Sequence, residues 1–380
     1  MSDINDNSEA SGSPFRGRRG RIIIAGGGTG GHIFPAIAIA NALKKRDNSI
    51  EILFVGAKGK MEMEKVPQAG YKIEGIDIAG FNRSSLIKNI GLPFKLIKSF
   101  IQVRGIVNQF KPDAVIGVGG YSSFPVLRFA QAKRIPSFIH ESNSFAGKSN
   151  MLLGKKATKI FVAIDGMEKF FPANKLMITG NPVRAAIAHN TTNKTEAIKF
   201  FSLNEMKKTV LVVGGSLGAR SINEAIDMHL EELLKADLQI IWQTGKPYAA
   251  TAKKRCEEKN GVWVNEFITQ MENAYGAADI VVSRSGAMTV AELCVAKKPV
   301  IFVPYPFAAE DHQTVNAKRL VEKNAAMMII DSEVKEKLLQ TIIDLANNET
   351  KQNEMKVNIS KLAVINADER VADEVLKTIS

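Results

Sequence analysis

The amino-acid sequence predicts an α/β protein made of two doubly wound, Rossmann-like domains facing a cleft. Three observations carry that expectation. Short apolar runs alternate with helical patterns along most of the chain, which implies parallel sheets covered on both faces. The alternation breaks at Gly180-Asn181-Pro182 and over the polar stretch 189–196, then restarts. Each half opens in the same way, with an apolar strand, a glycine-rich turn and a helix. A length of 380 residues suits two domains of ordinary size, and 45% apolar residues suffice for sizeable cores.

Residues 1–18 are polar, then basic, and read as a disordered tail. The first domain, 19–182, has strand patterns at 21–25, 51–55, 71–76, 114–118, 137–140, 158–162 and 175–178, with helices near 32–46, 84–109, 122–133 and 166–170. Its opening, RIIIAGGGTGGHIFP, drives an apolar strand into glycines and then a helix. Glycines let amides approach an anion, and a helix start adds unpaired donors and partial positive charge. A nucleotide or diphosphate is the expected ligand. Gly26, Gly28 and Gly31 also satisfy G-x-G-x-x-G, but the second strand runs into Gly56-Ala57-Lys58 without the carboxylate that a dinucleotide ribose requires. His32 follows the glycines directly. The helix dipole disfavours its charged form, so it can remain neutral near pH 7 and accept a proton, or serve only as a loop hydrogen bonder.

The second domain, 183–365, opens with a strand at 209–213, the turn Gly214-Gly215-Ser216-Leu217-Gly218-Ala219-Arg220 and a helix at 221–235. Strands follow at 239–243, 262–264, 279–283, 300–303 and 326–330, with helices near 246–258, 270–277, 287–296, 312–323 and 333–347. A last helix, within 366–380, is expected to cross back onto the first domain. After the strand at 279–282, Ser283-Arg284-Ser285-Gly286 turns into a helix carrying Ala287, Met288, Thr289 and Glu292. The turn is a second anion seat, and Glu292 can accept both hydroxyls of a ribose or simply favour the helix start. Glu310 to Asn316, with Gln313, suits sugar hydroxyls, and Asp311 can cap the helix there.

The net charge of +12 is concentrated. Between Ile78 and Ile164 thirteen Lys or Arg stand against Asp113 and Glu141, a net +11. This points to an anionic partner or to a solvated basic face. Within that window 78–94 mixes hydrophobes with Arg83 and Lys88 and reads as a surface for an anionic membrane, whereas 96–107 reads as helix core. Cys256 and Cys294 give no metal or redox spacing, which fits a reducing cytoplasm, and no apolar run spans a bilayer. Asp-x-Asp, H-E-x-x-H, the P-loop and the G-x-S-x-G elbow are all missing. No metal or cofactor is expected.

The runs GGGTGGHIFP, KPDAVIGVGGYSSFPV, HESNSFAGKSN, GNPVR, GGSLGAR, SRSGAMTVAE and PYPFAAEDHQTVNA, in this order, resemble the successive motifs of the MurG family of N-acetylglucosaminyltransferases over about 20–365. The resemblance implies a glycosyltransferase B fold, UDP-N-acetylglucosamine as donor, and lipid I, an undecaprenyl-diphosphate muramoyl pentapeptide, as acceptor. It places Thr29, Gly30, Gly31 and His32 near the reacting diphosphates and Asn143 at the donor sugar. Arg184 and Ser216 fall at the nucleotide phosphates, Ile268 backbone at the uracil, Ala287 to Thr289 at the diphosphate, Glu292 at the ribose and Gln313 at the N-acetylglucosamine. Phe124 stands where the family pattern has glycine. An inverting, metal-independent transfer with His32 as base is implied, on the cytoplasmic face of the membrane. The rival readings are a UDP-N-acetylglucosamine 2-epimerase and a basic nucleic-acid-binding protein. The basic window lacks the interleaved aromatics that single-strand binding uses, so no nucleic acid is expected.

Overall fold

The computed structural model describes residues 20–80, 91–215 and 217–379. The first unit runs β1 (Arg21–Ala25), α1 (Gly30–Arg46), β2 (Glu51–Ala57), α2 (Glu62–Gln68), β3 (Lys72–Ile76), α3 (Leu92–Phe110), β4 (Ala114–Gly117), α4 (Ser123–Ala132), β5 (Ser137–Glu141), α5 (Lys148–Gly154), β6 (Lys159–Val162) and β7 (Leu176–Ile178). Its strands are all parallel, in the order β3-β2-β1-β4-β5-β6-β7. Period-two alternation sends Ile22 and Ile24 to one apolar layer and Ile23 and Ala25 to the other. Both faces are buried, which is why the strands read as continuous apolar runs.

After α6 (Ala185–Ala188) and α7 (Lys194–Phe200), the second unit runs β8 (Lys208–Val213), α8 (Arg220–Met228), α9 (Leu230–Lys235), β9 (Leu238–Gln243), α10 (Lys246–Cys256), β10 (Val262–Asn265), α11 (Met271–Ala277), β11 (Ile280–Ser283), α12 (Ala287–Ala296), β12 (Val300–Phe302), α13 (His312–Val321), β13 (Met327–Met328), α14 (Val334–Asn347) and α15 (Glu349–Ser360). Its parallel order is β10-β9-β8-β11-β12-β13. Val210 and Val212 face one core and Leu211 and Val213 the other. The polar stretch read as a break contains the start of α7, whose Asn193 side chain caps it by accepting from Glu196 N–H at 2.8 Å.

α16 (Ala367–Ile379) lies against α1, with Val371, Ala372 and Val375 in the first unit's core. Arg46 clasps Asp373 at 2.6 and 3.1 Å, and Lys45 meets Glu369 at 2.8 Å. These pairs are largely exposed and contribute little; the apolar stripe holds the helix. The outgoing and returning chains run side by side, since a Cβ on Gly180 would come within 2.8 Å of Val364.

One expectation is overturned on α3. The helix buries only a stripe formed by Ser99, Val103 and Val107. Phe94, Ile97 and Ile101 are 75%, 60% and 68% exposed, and Leu96 is also exposed. The spacing 94, 97, 101 follows the helical repeat on the face opposite the core, so the apolar reading of 96–107 as core fails for that face. Part of the other expected membrane segment, 81–90, lies outside the described residues.

Candidate active site

Both sheets reverse their order beside the opening strand, between β1 and β4 and between β8 and β11. Ligands of open α/β sheets bind in the crevice at such points, beyond the carboxyl ends of the strands. The glycine-rich motifs occupy these positions: Gly26 to Thr29 after β1, Gly119 to Ser122 after β4, Gly214 to Gly218 after β8, and Arg284 to Gly286 after β11.

The first seat differs in detail from the glycine cradle expected. Gly26 N–H donates to Val55 O, Gly27 N–H to Gly119 O and Gly28 N–H to the Glu62 carboxylate at 2.8 Å. Those amides are spent inside the protein. The unpartnered ones among the described residues are Thr29, Gly30 and Gly31, at the start of α1, which begins two residues earlier than the pattern suggested. The free amides therefore coincide with the helix start, the position at which an anion would be bound. In the adjacent turn, buried Ser122 Oγ has no hydrogen-bond partner among the described residues. Phe124 packs edge-on to Phe100 of α3.

His32 is partly buried beside this seat. Its Nδ1 lies 3.0 Å from Gly27 O. A carbonyl only accepts, so Nδ1 carries the proton and Nε2 keeps the basic lone pair. Burial lowers the pKa below its ordinary value, against the Gly27 hydrogen bond and the charges of Glu141 and Glu62. Gly119 cannot be replaced quietly: its φ is +98°, and a Cβ there would lie 2.7 Å from Nε2.

Glu141, which sequence reading did not select, organises the next loop. Buried at the end of β5, it accepts from Asn143 N–H (3.1 Å), Asn143 Nδ2 (3.2 Å), Gly147 N–H (3.1 Å) and Asn150 Nδ2 (2.8 Å). Asn143 is thereby fixed. Neighbouring His140 is buried between Gly180 O and Ser142 Oγ, and burial lowers its pKa too.

In the second unit the amides of Ala287, Met288 and Thr289 start α12 without partners among the described residues. Glu292, one turn on and buried, is bridged by Arg184 through Nε (3.0 Å) and Nη2 (3.2 Å) and accepts Tyr275 OH at 3.1 Å. Burial works against the Arg184 charge, yet Glu292 outweighs it and raises the pKa. Burial, reinforced by Glu292, lifts Tyr275 well above its ordinary value. Gln313 uses Oε1 to accept Tyr305 N–H, leaving its Nε2 for a ligand, while its carbonyl receives Ser285 Oγ. Ile268 N–H already donates to Gln243 Oε1 at 3.3 Å, so its carbonyl is the backbone group left for a base. Asp311 accepts Thr314 Oγ1 rather than a backbone amide, and its φ of +51° is not that of an ordinary cap. Ser216 lies outside the described residues.

The two seats face each other. A Cβ on Gly31 would lie 4.0 Å from Met288 Cγ, and the Arg184 guanidinium stacks 4.9 Å from the Phe34 ring of α1. Ser144 Oγ donates to Asn316 Oδ1 at 2.9 Å, and Arg319 pairs with Asp165 at 2.8 Å, both across the cleft. The structure thus brings Thr29, Gly30, Gly31, His32 and Arg184 together with Ala287, Met288, Thr289 and Glu292; Asn143, on the loop after β5, and Gln313, in the first turn of α13, are held at the same cleft by Ser144–Asn316 and Ser285.

Two Rossmann-like units presenting opposed helix starts, with a histidine beside one and a carboxylate one turn inside the other, have the architecture of the glycosyltransferase B fold. Comparison with known proteins agrees. Residues 22–162 match the glycosyltransferase family 28 N-terminal domain, and residues 209–371 match its C-terminal domain. The UDP-N-acetylglucosamine–N-acetylmuramyl-(pentapeptide) pyrophosphoryl-undecaprenol N-acetylglucosamine transferase of Parabacteroides distasonis is 50% identical over 95% of this chain and 99% of its own. A crystal structure of Acinetobacter baumannii MurG superposes with a TM-score of 0.74 at 30% identity, over 94% of this chain and 99% of that one. A UDP-N-acetylglucosamine 2-epimerase structure covers 95% of this chain and 96% of its own with a TM-score of 0.67, but at 14% identity that likeness shows the fold alone. The chain belongs to glycosyltransferase family 28 and, within it, to the MurG family.

Proposed function

We propose that the chain transfers N-acetylglucosamine from UDP-N-acetylglucosamine to the muramoyl 4-hydroxyl of undecaprenyl-diphosphate-linked muramoyl pentapeptide, lipid I, giving lipid II for peptidoglycan. Family membership supports the activity; the observation that carries the mechanism is the opposition of the α1 and α12 helix starts at Gly31 and Met288. Each start suits one diphosphate. The donor binds on the second unit, its diphosphate on Ala287 to Thr289 with Arg184 and Ser216, its ribose on Glu292, its uracil against the Ile268 backbone and its sugar between Asn143 and Gln313. The acceptor diphosphate sits at Thr29 to Gly31.

His32 Nε2 takes the proton of the attacking hydroxyl, because the Gly27 hydrogen bond fixes the proton on Nδ1. The hydroxyl oxygen bonds to the anomeric carbon from the face opposite UDP, the glycosidic C–O bond to UDP breaks, and the configuration inverts from α to β. Negative charge growing on UDP is held by the α12 amides and Arg184.

The exposed α3 face provides a membrane contact. Phe94, Ile97 and Ile101 stand among Lys95, Lys98 and Arg104, which suits partial insertion into an anionic surface. No helix among the described residues is long and apolar enough to cross a membrane. On this reading the lipid-linked acceptor and the nucleotide-sugar donor meet at the cytoplasmic leaflet, against which this face would lie.

The test is UDP release from UDP-N-acetylglucosamine, in EDTA, with and without a lipid I analogue. Acceptor-dependent release with a disaccharide product supports the proposal. Sugar turnover without acceptor, or none in either condition, refutes it, and dependence on added divalent cation refutes the metal-independent step.

A further inference from the structure

Glu62 lies at the start of α2 and is 1% exposed. Its two oxygens serve two different strand-to-helix connections of the first unit. Oε2 accepts Gly28 N–H at 2.8 Å, and Oε1 accepts Ala57 N–H at 2.9 Å. The Glu62 side chain fills the space a Cβ would need on both sides: one on Gly27 would fall 2.2 Å from its carboxylate Cδ, and one on Gly56 2.5 Å from its Cγ methylene. Glu62 is therefore the packing partner that requires glycine at Gly27 and Gly56.

We infer that Glu62 is a positioning residue for the transfer, acting through the Gly27–Gly28 peptides on both the Thr29–Gly31 anion seat and His32. The route is short. Gly28 N–H is held by the carboxylate, and the next three amides, at the start of α1, have no partner among the described residues. Gly27 O belongs to the same trans peptide, so it points away from Glu62, receives His32 Nδ1–H and so fixes which ring nitrogen is basic. A carboxylate beneath an anion seat repels the ligand unless its charge is committed elsewhere; here each oxygen is committed to an amide. The groups charging or titrating around His32 are Glu62 on α2, His140 and Glu141 on β5, and Arg184, which reaches α1 through Phe34. Glu62 and Glu141 both support the imidazolium, so removing either charge moves the acid limb of turnover to lower pH.

This inference rests on the proposed reaction and on His32 as base, and the test separates the three. Glu62→Gln is nearly isosteric, but its carboxamide satisfies only one of the two amides and sets N–H against N–H at the other. Expected are a 10- to 100-fold fall in kcat, a raised KM for a lipid I analogue, an unchanged KM for UDP-N-acetylglucosamine and an acid limb displaced downward. UDP binding by calorimetry reports the folding of the second unit. Hydrogen exchange of the 26–31 segment, which needs no activity, should quicken. Wild-type kcat with unchanged exchange in Glu62→Gln overturns the inference. If His32→Ala retains turnover while Glu62→Gln loses acceptor affinity, the base assignment falls and Glu62 still positions the seat. If wild type shows no acceptor-dependent release, the reaction fails and the exchange measurement alone decides on Glu62. Should Glu62→Gln not fold, Glu62→Asp, which keeps the charge one methylene short, must show the same split between the two KM values or the inference is lost.

Discussion

Replacing Glu292 by Gln isolates a group with two jobs. The carboxylate is buried, bridges Arg184 through two bonds and takes the Tyr275 hydroxyl, so the substitution leaves a guanidinium facing an amide N–H. Breaking a buried pair from one side costs about 3–5 kcal/mol; with the Arg184 side chain 22% exposed, about 2–3 kcal/mol is the appropriate figure. At roughly 2–4 °C per kcal/mol for a domain of this size, the second unit should melt about 4–12 °C lower. Losing a charged acceptor for the ribose removes a further ~1.5–3 kcal/mol of binding, which weakens UDP roughly 10- to 100-fold. Arg184→Met on top of Glu292→Gln removes the stranded charge while keeping an acceptor for Tyr275. Melting should recover, and UDP affinity should not. The measurements are differential scanning fluorimetry and titration calorimetry with UDP. A Glu292→Gln protein that melts and binds UDP like wild type refutes the reasoning, and a double variant that regains affinity assigns the loss to distortion rather than to a ribose contact.

Gly119→Ala puts a methyl 2.6 Å from His32 Cδ2 at a φ of +98°, so kcat should fall nearly as far as in His32→Ala, with a stability loss of about 1–3 kcal/mol by denaturant titration; an unchanged kcat would show that the ring is free to move. His32 and His140 have folded pKa values lowered by burial from the ordinary 6.5, so the unfolded chain binds protons first on acidification. Their contribution to stability is complete above about pH 6.5 and is lost as pH falls through the lowered values; urea midpoints between pH 8 and 5 should decline, and less so in His140→Asn. Ile97→Asp should release the protein from anionic vesicles in flotation without moving the melting temperature, because that side chain leaves the core untouched; binding unaffected by both this change and high salt would remove α3 from the membrane contact.

Much of the fold was legible because parallel strands buried on both faces write themselves as apolar runs. All the strands, β1 to β13, fall within two residues of the sequence pattern, and α12 coincides with it. What escaped was short or polar. α2 and α5 have seven residues each, fewer than two full turns of signal, and α7 begins inside a stretch whose polarity read as a linker. The site was legible by type and not by partner. The turn Gly26 to Gly28 reads as an anion cradle, yet its own amides are internal, because Val55, Gly119 and Glu62 reach them from segments distant in sequence. Glu62 itself lies four residues beyond the Gly56-Ala57-Lys58 turn in which a ribose carboxylate was sought, and nothing in its local pattern marks it as buried. Glu141 was visible only as one of two acids in a basic window.

Those buried acids pose a question of charge. A cleft that must bring two diphosphates together contains Glu62, Glu141 and Glu292 within its walls, and unpaired carboxylates there would oppose both ligands. Each is instead engaged by donors: two backbone amides on Glu62, four N–H groups on Glu141, and the Arg184 fork with the Tyr275 hydroxyl on Glu292. Glu62 and Glu141 so engaged order backbone, Glu292 orders Arg184 and Tyr275, and the amides at Thr29 to Gly31 and Ala287 to Thr289 are left without partners among the described residues. The two helix starts then supply the field that binds anions, and the carboxylates fix the direction in which that field acts. Of the three, only Glu292 is held entirely by side chains, with no backbone amide bonded to it, so it is the one whose partners can rearrange when a ribose arrives.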